Sequence, residues 1–598
     1  MCGIVATRGR QAGAAALAGL TKLEYRGYDS AGLAVVGDGG RLRIERTVGP
    51  LDALVTRIAG NVQLLDPPGR LAIGHTRWAT HGAVHVHNAH PLRDCTGRIA
   101  VVHNGVLENF TEVRDELRLS GHWFRSDVDS ELIPHLIEHE MTLGAEPFDA
   151  VRKAVARMQG SWAIAVLVEG LDALLLARRR SPLMLRGTPR QFVVASDPVA
   201  TMDVPGPLRV LADGDIAELG RRWRWVGPNG SDRPPAIRVE RSRRVAGTAA
   251  TAIPRPAVGH ASTASEIREQ HGVATRLVDE ILTRCTSPHP WRRFGLPHPE
   301  RVLLLGCGTS YHAALVTARV LRLVAGLPAT AVIASEYDRR FEVPFDLTVA
   351  ISQSGETADV LTALESIDTP VLAITNNTYS SVARIADAVI DCRAGVERGV
   401  AATKTFTAQL LCGTGLALAA AVAVGAGDRA DAAARLLARV PDQLAAAEAR
   451  GNPINDAETR MLARASGWLF LGTGSGVPYA SEGALKLKEI TYRWAQSYPA
   501  AELKHGPLAL VQRGTPAVVI DNGAPRLTTT VAEVRARGAE VIVLRGHHGM
   551  PSTEFADGPP WGPIDTVPAL QYLAVSIANV LGRDVDRPRN LAKSVTVG

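Results

Sequence analysis

At 598 residues, 46% apolar and 21% charged, the chain has the composition of a water-soluble protein of roughly three or four domains. Its net charge of +6 comes from scattered basic residues, with Arg clusters only at 221–225 and 238–247, and aromatics make up 5%. That excludes the aromatic platform on a basic stripe that a nucleic-acid binder needs. Six cysteines (Cys2, Cys95, Cys285, Cys307, Cys392 and Cys412) include no C-x-x-C pair. The spacing argues against a disulfide framework and against a structural zinc site. Separately from the cysteine spacing, no metal or other cofactor is expected. No basic segment followed by an apolar stretch opens the chain, and a cytoplasmic location is expected.

In chain order, the first feature is Cys2, directly behind Met1. Removal of Met1 leaves a cysteine whose own α-amine, with an ordinary pKa of about 7.7–8, lies within reach of its thiol as a base. Short β-like runs follow (LAVV, LAIGHT, IAVVHN, WAIAVLV, FVVAS), with helical stretches at about 11–23 and 129–140. Residues 226–265 are rich in Pro, Gly, Ser and Arg and read as a linker.

Beyond it the rhythm changes to buried strands alternating with helices, at 301–321, 347–364 and 371–376. Strand, Gly-rich turn and helix recur at 467–490, with further strands at 516–521 and 540–546. Apolar strands alternating with helices imply parallel sheets covered on both faces, here as two similar units in tandem. The apolar run 410–427 is barely long enough to span a bilayer and reads as a buried helix, so no membrane association is expected.

Several constellations carry chemistry. A tetrahedral intermediate formed at a Cys2 thiol needs donors for its oxyanion, and "VVHNG" offers the Asn104 amide and the Gly105 N–H at a strand end. "HTRWATHG" and "FRSDVDS" add Arg77 and Asp129, an opposite-charge pair suited to an amino acid's carboxylate and ammonium. The stretch 75–90 carries five histidines, of which His85, His87 and His90 have the spacing of a metal site but read as surface histidines. In the second half, "SQSGET" places Ser352, Gln353, Ser354 and Thr357 between a buried strand and a helix, where free N–H groups suit a phosphate. "CGTS" adds Thr309 and Ser310. "EGALKLKEI" sets Glu482, Lys486 and Glu489 on one helical face, the residue types of a proton shuttle or of a solvated ion-pair face.

Taken together, "CGIV", "LEYRGYDSAGLAV", "HTRWATHG", "NAHP" and "VVHNG" resemble the class II glutamine amidotransferases, and "GCGTS" with "SQSGET" resembles SIS (sugar isomerase) domains. Over nearly its whole length the chain is similar to the glutamine–fructose-6-phosphate aminotransferase (isomerising) family. The resemblance implies an N-terminal αββα Ntn-hydrolase sandwich followed by two doubly wound parallel-sheet SIS domains. The boundaries expected are 2–238 for the glutaminase, 239–265 for a linker, and 266–447 and 448–598 for the SIS domains. It further implies Cys2 as nucleophile, Asn104 and Gly105 as oxyanion hole, and Arg77 and Asp129 as holders of glutamine, with Arg26 and Trp78 shaping the pocket. Thr309, Ser310, Ser352, Gln353, Ser354, Thr357, Val400 and Lys486 match the sugar-phosphate site. Glu489 matches the isomerising base, His505 a ring-opening histidine contributed across a homodimer, and Lys593 a tail lysine that forms an imine with the ketose. Ala592 lies beside Lys593 in the tail that helps form an ammonia channel.

Departures from the family pattern cluster around the sugar half: "SEIREQH" at 265–271, Arg398 and Ala402 in "GVERGVAATK", and Trp494 in "TYRWAQSY". The activity expected is amination and isomerisation of fructose 6-phosphate by glutamine. The alternatives left open are a diverged paralogue acting on another keto-sugar phosphate and a non-catalytic sugar-phosphate sensor. A phosphoribosyl amidotransferase shares only the Cys2 half.

Overall fold

The computed structural model describes residues 2–37, 39–59, 70–78, 82–228, 230–232, 237–238, 263–285, 289–340, 343–546, 554–555 and 558–595. Met1, His81, most of the expected linker and the last three residues lie outside the described residues. The chain separates into two compact units, residues 1–241 with 594–598, and residues 242–593.

Among its described residues the first unit holds two antiparallel sheets. The eight-stranded sheet runs, in spatial order, 237–238, 208–210, 184–188, 191–195, 3–8, 71–77, 30–36 and 42–48. The six-stranded sheet runs 223–226, 216–219, 174–179, 160–168, 99–107 and 92–93. Strand alternation sorts the side chains into layers. Ile4, Ala6, Ala34, Ala163, Ala165 and Leu167 meet in a core between the sheets. Val5, Leu33 and Val35 face the other way, against the helices Ala12–Leu23 and Leu51–Ala59. Ile164 and Val166 point outward from the second sheet onto the helices Phe110–Leu119, Leu132–Thr142 and Pro147–Ala156. The result is an αββα sandwich, as expected. Its N-terminal strand Gly3–Arg8 is central, paired on one side with Leu71–Arg77 and on the other with Gln191–Ala195. Cys2 is therefore delivered to the end of a central strand.

The second unit holds two parallel sheets. One is ordered 329–333, 302–306, 347–352, 371–375, 388–391, and the other 494–499, 467–472, 516–521, 540–545. Both begin with the same reversal of strand order, and such a switch point opens a crevice at the carboxyl ends of the strands. In the first sheet that crevice lies between the loops that follow Gly306 and Ser352. Both faces of each sheet are covered. Leu304, Val349 and Ile374 join Phe470, Val518 and Ile520 in one core shared by the two sheets, whereas Leu303, Leu305 and Ala350 face a separate cluster. The expected buried apolar helix is present as Lys404–Ala423, ending a few residues before the apolar run does, where Val424 caps it and Gly425 turns left-handed. It is the one helix among the described residues long and apolar enough to cross a membrane, and it is buried along nearly its whole length.

Phe406 on that helix is fully buried and packs edge-on against Tyr479 of the helix Val477–Thr491, 6.2 Å between ring centroids. Phe406→Ala is expected to cost about 3–5 kcal/mol of the second unit's stability, read by urea denaturation. A loss below about 1 kcal/mol would contradict this shared core.

Candidate active sites

In the first unit, Cys2 is held by its main chain. Its carbonyl oxygen accepts from Asn104 Nδ2 at 2.9 Å and from Arg26 Nε at 3.3 Å. Its Sγ lies 3.2 Å from the Trp78 N–H and 3.5 Å from the Trp78 carbonyl. Arg26 in turn pairs with Asp197 at 2.9 Å, which also accepts from Tyr25 Oη at 2.8 Å. Burial, with the Asp197 charge beside it, pushes the Tyr25 phenol far up, so it remains a donor.

The Asn104 amide is oriented from behind. Its Oδ1 faces His75 Nε2 at 3.1 Å, and the same nitrogen lies 3.0 Å from the His103 carbonyl. Two acceptors around one nitrogen place the ring proton on Nε2. Burial lowers the His75 pKa to about 3, so the ring is neutral at ordinary pH. With Oδ1 accepting and one Nδ2 hydrogen on Cys2, the second Nδ2 hydrogen remains for a ligand. Gly105 follows at φ +138°, and a Cβ there would stand 2.0 Å from the Ser161 carbonyl oxygen. Only glycine fits.

Arg77 ends its strand buried, its guanidinium within reach of the Gly82 and Ala83 carbonyls at 3.4 and 3.5 Å. Asp129 opens a 3₁₀ turn, buried, accepting from the Leu107 N–H at 2.8 Å and from Ser130 Oγ at 3.1 Å. Trp78 packs edge-on against Tyr28. His90 lies buried against His75, whereas His85 is exposed and His87 half-buried, their rings tilted against one another. His75 and Asp197 were not among the expected site residues. Their roles depend on contacts between strands distant in sequence.

In the second unit, the two Ser/Thr loops flank the switch-point crevice. Ser352 Oγ accepts the Gly355 N–H at 3.0 Å and lies 3.0 Å from Thr357 Oγ1, while Ser354 Oγ accepts from the Glu356 N–H at 3.1 Å. The Gln353 carbonyl accepts from the Asn376 N–H at 3.1 Å. Gly355 has φ +64°, and a Cβ there would come within 2.0 Å of Ser380 Oγ. Thr357 precedes the helix Ala358–Glu365. Across the crevice Thr309 opens the helix Thr309–Ala325, and Ser310 Oγ accepts from Gln409 Nε2 at 3.0 Å.

Thr309 ties this loop to the second sheet's helix. Its Oγ1 donates to Glu482 at 3.0 Å and accepts from Lys486 Nζ at 3.1 Å, and His312 Nδ1 meets the other Glu482 oxygen at 2.7 Å. Lys486 also forms an ion pair with Glu489 at 2.6 Å, off the line of a hydrogen bond, and lies 3.5 Å from Glu482. Burial opposes both charges, yet the flanking carboxylates raise the Lys486 pKa, and Lys486 with His312 lowers that of Glu482. The predicted helical face is thus a buried charge cluster rather than a solvated one. Glu489 is partly exposed at its edge.

A second cluster forms at the C-terminal tail. Lys593 Nζ contacts Glu397 at 2.5 Å and the Gly399 carbonyl at 2.7 Å, while the Thr403 and Thr405 N–H groups satisfy the other Glu397 oxygen at 2.9 and 3.0 Å. Val400 N donates to the Asp586 carbonyl at 3.2 Å, and Ala592 is half-buried beside Lys593. Glu266 accepts from the Arg398 and Gly399 N–H groups, and Lys404 pairs with Glu269 at 2.6 Å. Arg398 therefore serves Glu266 through its backbone, which any side chain supplies. Trp494 is 83% exposed. His505 ends an exposed 3₁₀ turn and makes no hydrogen bond or ion pair with either cluster among the described residues.

The two buried acids of this cluster divide the charge. Burial would raise the Glu397 pKa, but the Lys593 ammonium and the N–H groups outweigh it and hold the carboxyl at about 2. Glu266, buried and facing the Glu397 charge, is pushed up to about 7.

A glutamine amidotransferase domain model matches residues 75–203, and a SIS domain model matches residues 296–419 and 461–557. Among curated relatives, the chain is 40% identical to the glutamine–fructose-6-phosphate aminotransferase (isomerizing) of Halobacterium salinarum, over all of both chains. The chain belongs to the glutamine–fructose-6-phosphate aminotransferase (isomerizing) family. Members from Pseudomonas putida and Thermosynechococcus vestitus are 39% and 37% identical, again over the full length of both chains. The family's two modules therefore coincide with the antiparallel sandwich and the pair of parallel sheets.

Glu266 supplies a test of the tail cluster. An acid whose folded pKa is raised holds its proton more tightly folded than unfolded. Its stabilisation is complete below about 4.5 and is lost as pH rises through about 7. The wild type should therefore lose on the order of 3 kcal/mol relative to Glu266→Gln between those pH values, read by urea titrations. Equal slopes for the two proteins would contradict the assignment.

Proposed function

We propose that the chain transfers the amide nitrogen of glutamine to fructose 6-phosphate and isomerises the product to glucosamine 6-phosphate, with glutamate released. What supports this most is end-to-end similarity to relatives of that activity, in a chain holding both an N-terminal cysteine site and a buried acid–lysine cluster beside a phosphate-type loop.

Loss of Met1 frees the Cys2 amine to take the thiol proton. The thiolate attacks the glutamine amide carbon, and the oxyanion is received by Asn104 Nδ2 and the Gly105 N–H. Ammonia leaves, and water then releases glutamate from the thioester. Arg77 and Asp129 hold the glutamine carboxylate and ammonium, with Arg26 and Trp78 at the pocket wall. The buried, neutral His75 keeps Asn104 in its donating orientation.

In the second unit, Ser352, the Gln353 N–H, Ser354, Thr357, Thr309 and Ser310 receive the phosphate and hydroxyls, with Val400, Lys486 and Ala592 along the sugar. Lys593 leaves its counter-ion Glu397, gives up its extra proton to solvent, and adds as a free amine to the open-chain ketone, losing water to form an imine. Ammonia then displaces the lysine. Glu489 moves the proton between C1 and C2, its carboxylate poised by Lys486. The exposed His505 opens the ring of a sugar held by a second copy of the chain, so the working form is at least a dimer. The domain division kept here is 2–238, 239–265, 266–447 and 448–598, and the enzyme works in the cytoplasm.

Purified protein supplied with amide-¹⁵N glutamine and fructose 6-phosphate should give labelled glucosamine 6-phosphate by mass spectrometry. Cys2→Ala should abolish that product while leaving synthesis from added ammonia. Glutamate and free ammonia without amino sugar would overturn the acceptor. Full glutamine-dependent activity of Cys2→Ala would overturn the nucleophile.

A further inference from the structure

One group of side chains in the glutaminase sandwich is used by neither chemistry. Cys95 lies between the strands Leu92–Arg93 and Ile99–Leu107, His122 follows the helix Phe110–Leu119, and His135 and Glu138 share one face of the helix Leu132–Thr142. Cys95 Sγ, one nitrogen of each histidine and one Glu138 oxygen all lie within 4.8 Å of one another.

The individual separations are informative. Cys95 Sγ is 3.7 Å from His122 Nδ1 and 3.5 Å from His135 Nδ1. Glu138 Oε2 is 3.0 Å from His122 Nδ1 and 3.3 Å from His135 Nδ1. A tetrahedral zinc with bonds of about 2.0–2.1 Å to N and O and about 2.3 Å to S has ligand edges of about 3.3 Å between N and O and about 3.6 Å between N and S. The four edges fit that polyhedron to within a few tenths of an ångström. A hydrogen-bonded cluster accounts for them less well, because both Nδ1 atoms converge on the same carboxylate oxygen and the same sulfur.

The surroundings leave the outer ring nitrogens facing a carboxylate and a second histidine. Ligating histidines direct the other ring nitrogen to a carboxylate or similar partner. His135 Nε2 faces Glu131 at 3.7 Å, beyond hydrogen-bond distance, and Glu131 is itself fixed by the Arg125 N–H and by Ser126. His122 Nε2 lies 3.4 Å from His139 Nδ1. The second Glu138 oxygen accepts from the Thr96 N–H at 3.3 Å. Glu138 and His135 are buried, while Cys95 and His122 are partly open to solvent, which gives an ion its route in.

We propose that Cys95, His122, His135 and Glu138 form a structural site for a divalent cation of the zinc class, closed by four protein ligands. On binding, the Cys95 thiol releases its proton to solvent, and thiolate plus carboxylate neutralise the two positive charges. The cation ties the loop at Cys95 and the loop at His122 to the helix that follows the turn Asp129–Glu131. The expectation of no structural zinc site rested on the lack of a C-x-x-C pair. This set draws one cysteine, two histidines and a glutamate from three segments, and only His135 and Glu138 are close in sequence.

The test uses the full chain carrying Cys2→Ala, so that the terminal thiol does not compete. After chelation, dialysis against Zn²⁺ and washing, elemental analysis should find one zinc per chain. Co²⁺ in its place should give a thiolate-to-cobalt charge-transfer band. Adding Cys95→Ser should remove the band, and either Cys95→Ser or His122→Asn should weaken zinc binding by about tenfold or more. No retained zinc in the starting protein, or unchanged zinc and an unchanged cobalt band with Cys95→Ser, would overturn the site. If Cys95→Ser fails to fold, the cobalt band of the unaltered Cys95 and zinc retention by His122→Asn decide the matter.

Discussion

Buried ammonium groups paired with carboxylates fix the layout of the second unit. A lone charge in a protein interior costs several kcal/mol, so Lys486 is stable there only with Glu482 and Glu489 beside it, and Lys593 only with Glu397. The geometric consequence matters more than the net energy. Lys486 and Glu482 reach Thr309 and His312 of the neighbouring lobe, so the helix Val477–Thr491 is tied to the turn that forms one wall of the crevice. Lys593 draws the C-terminal tail onto the 397–405 segment, bringing Ala592 and Val400 into the same region. An amine held as an ion pair is not a nucleophile. The proposed addition of Lys593 to a carbonyl therefore requires its release from Glu397.

The first unit follows a different constraint. Cys2, the proposed nucleophile, sits at the end of a central strand, so its backbone is positioned by sheet pairing on both sides and by Asn104 and Arg26 at its carbonyl. The thiol is left facing the Trp78 backbone. Precision comes from rigid elements, and the neutral His75 extends it to Asn104, the proposed oxyanion donor.

Within an element, the sequence was readable. Strand alternation at Ile4/Val5 and the apolar parallel strands fixed the layers, and the motifs around Cys2, Asn104 and Ser352 pointed to both candidate sites. Contacts between elements were not. Glu397 and Lys593 are 196 residues apart, and His312 and Glu482 are 170 apart, so no spacing rule pairs them. The same limit drew attention to His85, His87 and His90, adjacent in sequence but split between surface and interior, and away from the convergent Cys95, His122, His135 and Glu138. The i, i+4 and i, i+3 pairs at Glu482, Lys486 and Glu489 fitted either a proton shuttle or a solvated face, because burial by a neighbouring lobe leaves no mark on helical periodicity.

The central claim is that the crevice between the loops after Gly306 and Ser352 receives a sugar phosphate and that Lys593 is released to meet it. A crystal structure with fructose 6-phosphate bound tests it directly. The account predicts phosphate oxygens on Ser352, Ser354 and Thr357, C1 and C2 within hydrogen-bond reach of Glu489, and Lys593 Nζ moved from Glu397 to the sugar. A sugar phosphate bound elsewhere, or Lys593 still paired with Glu397 while the crevice is filled, would contradict it.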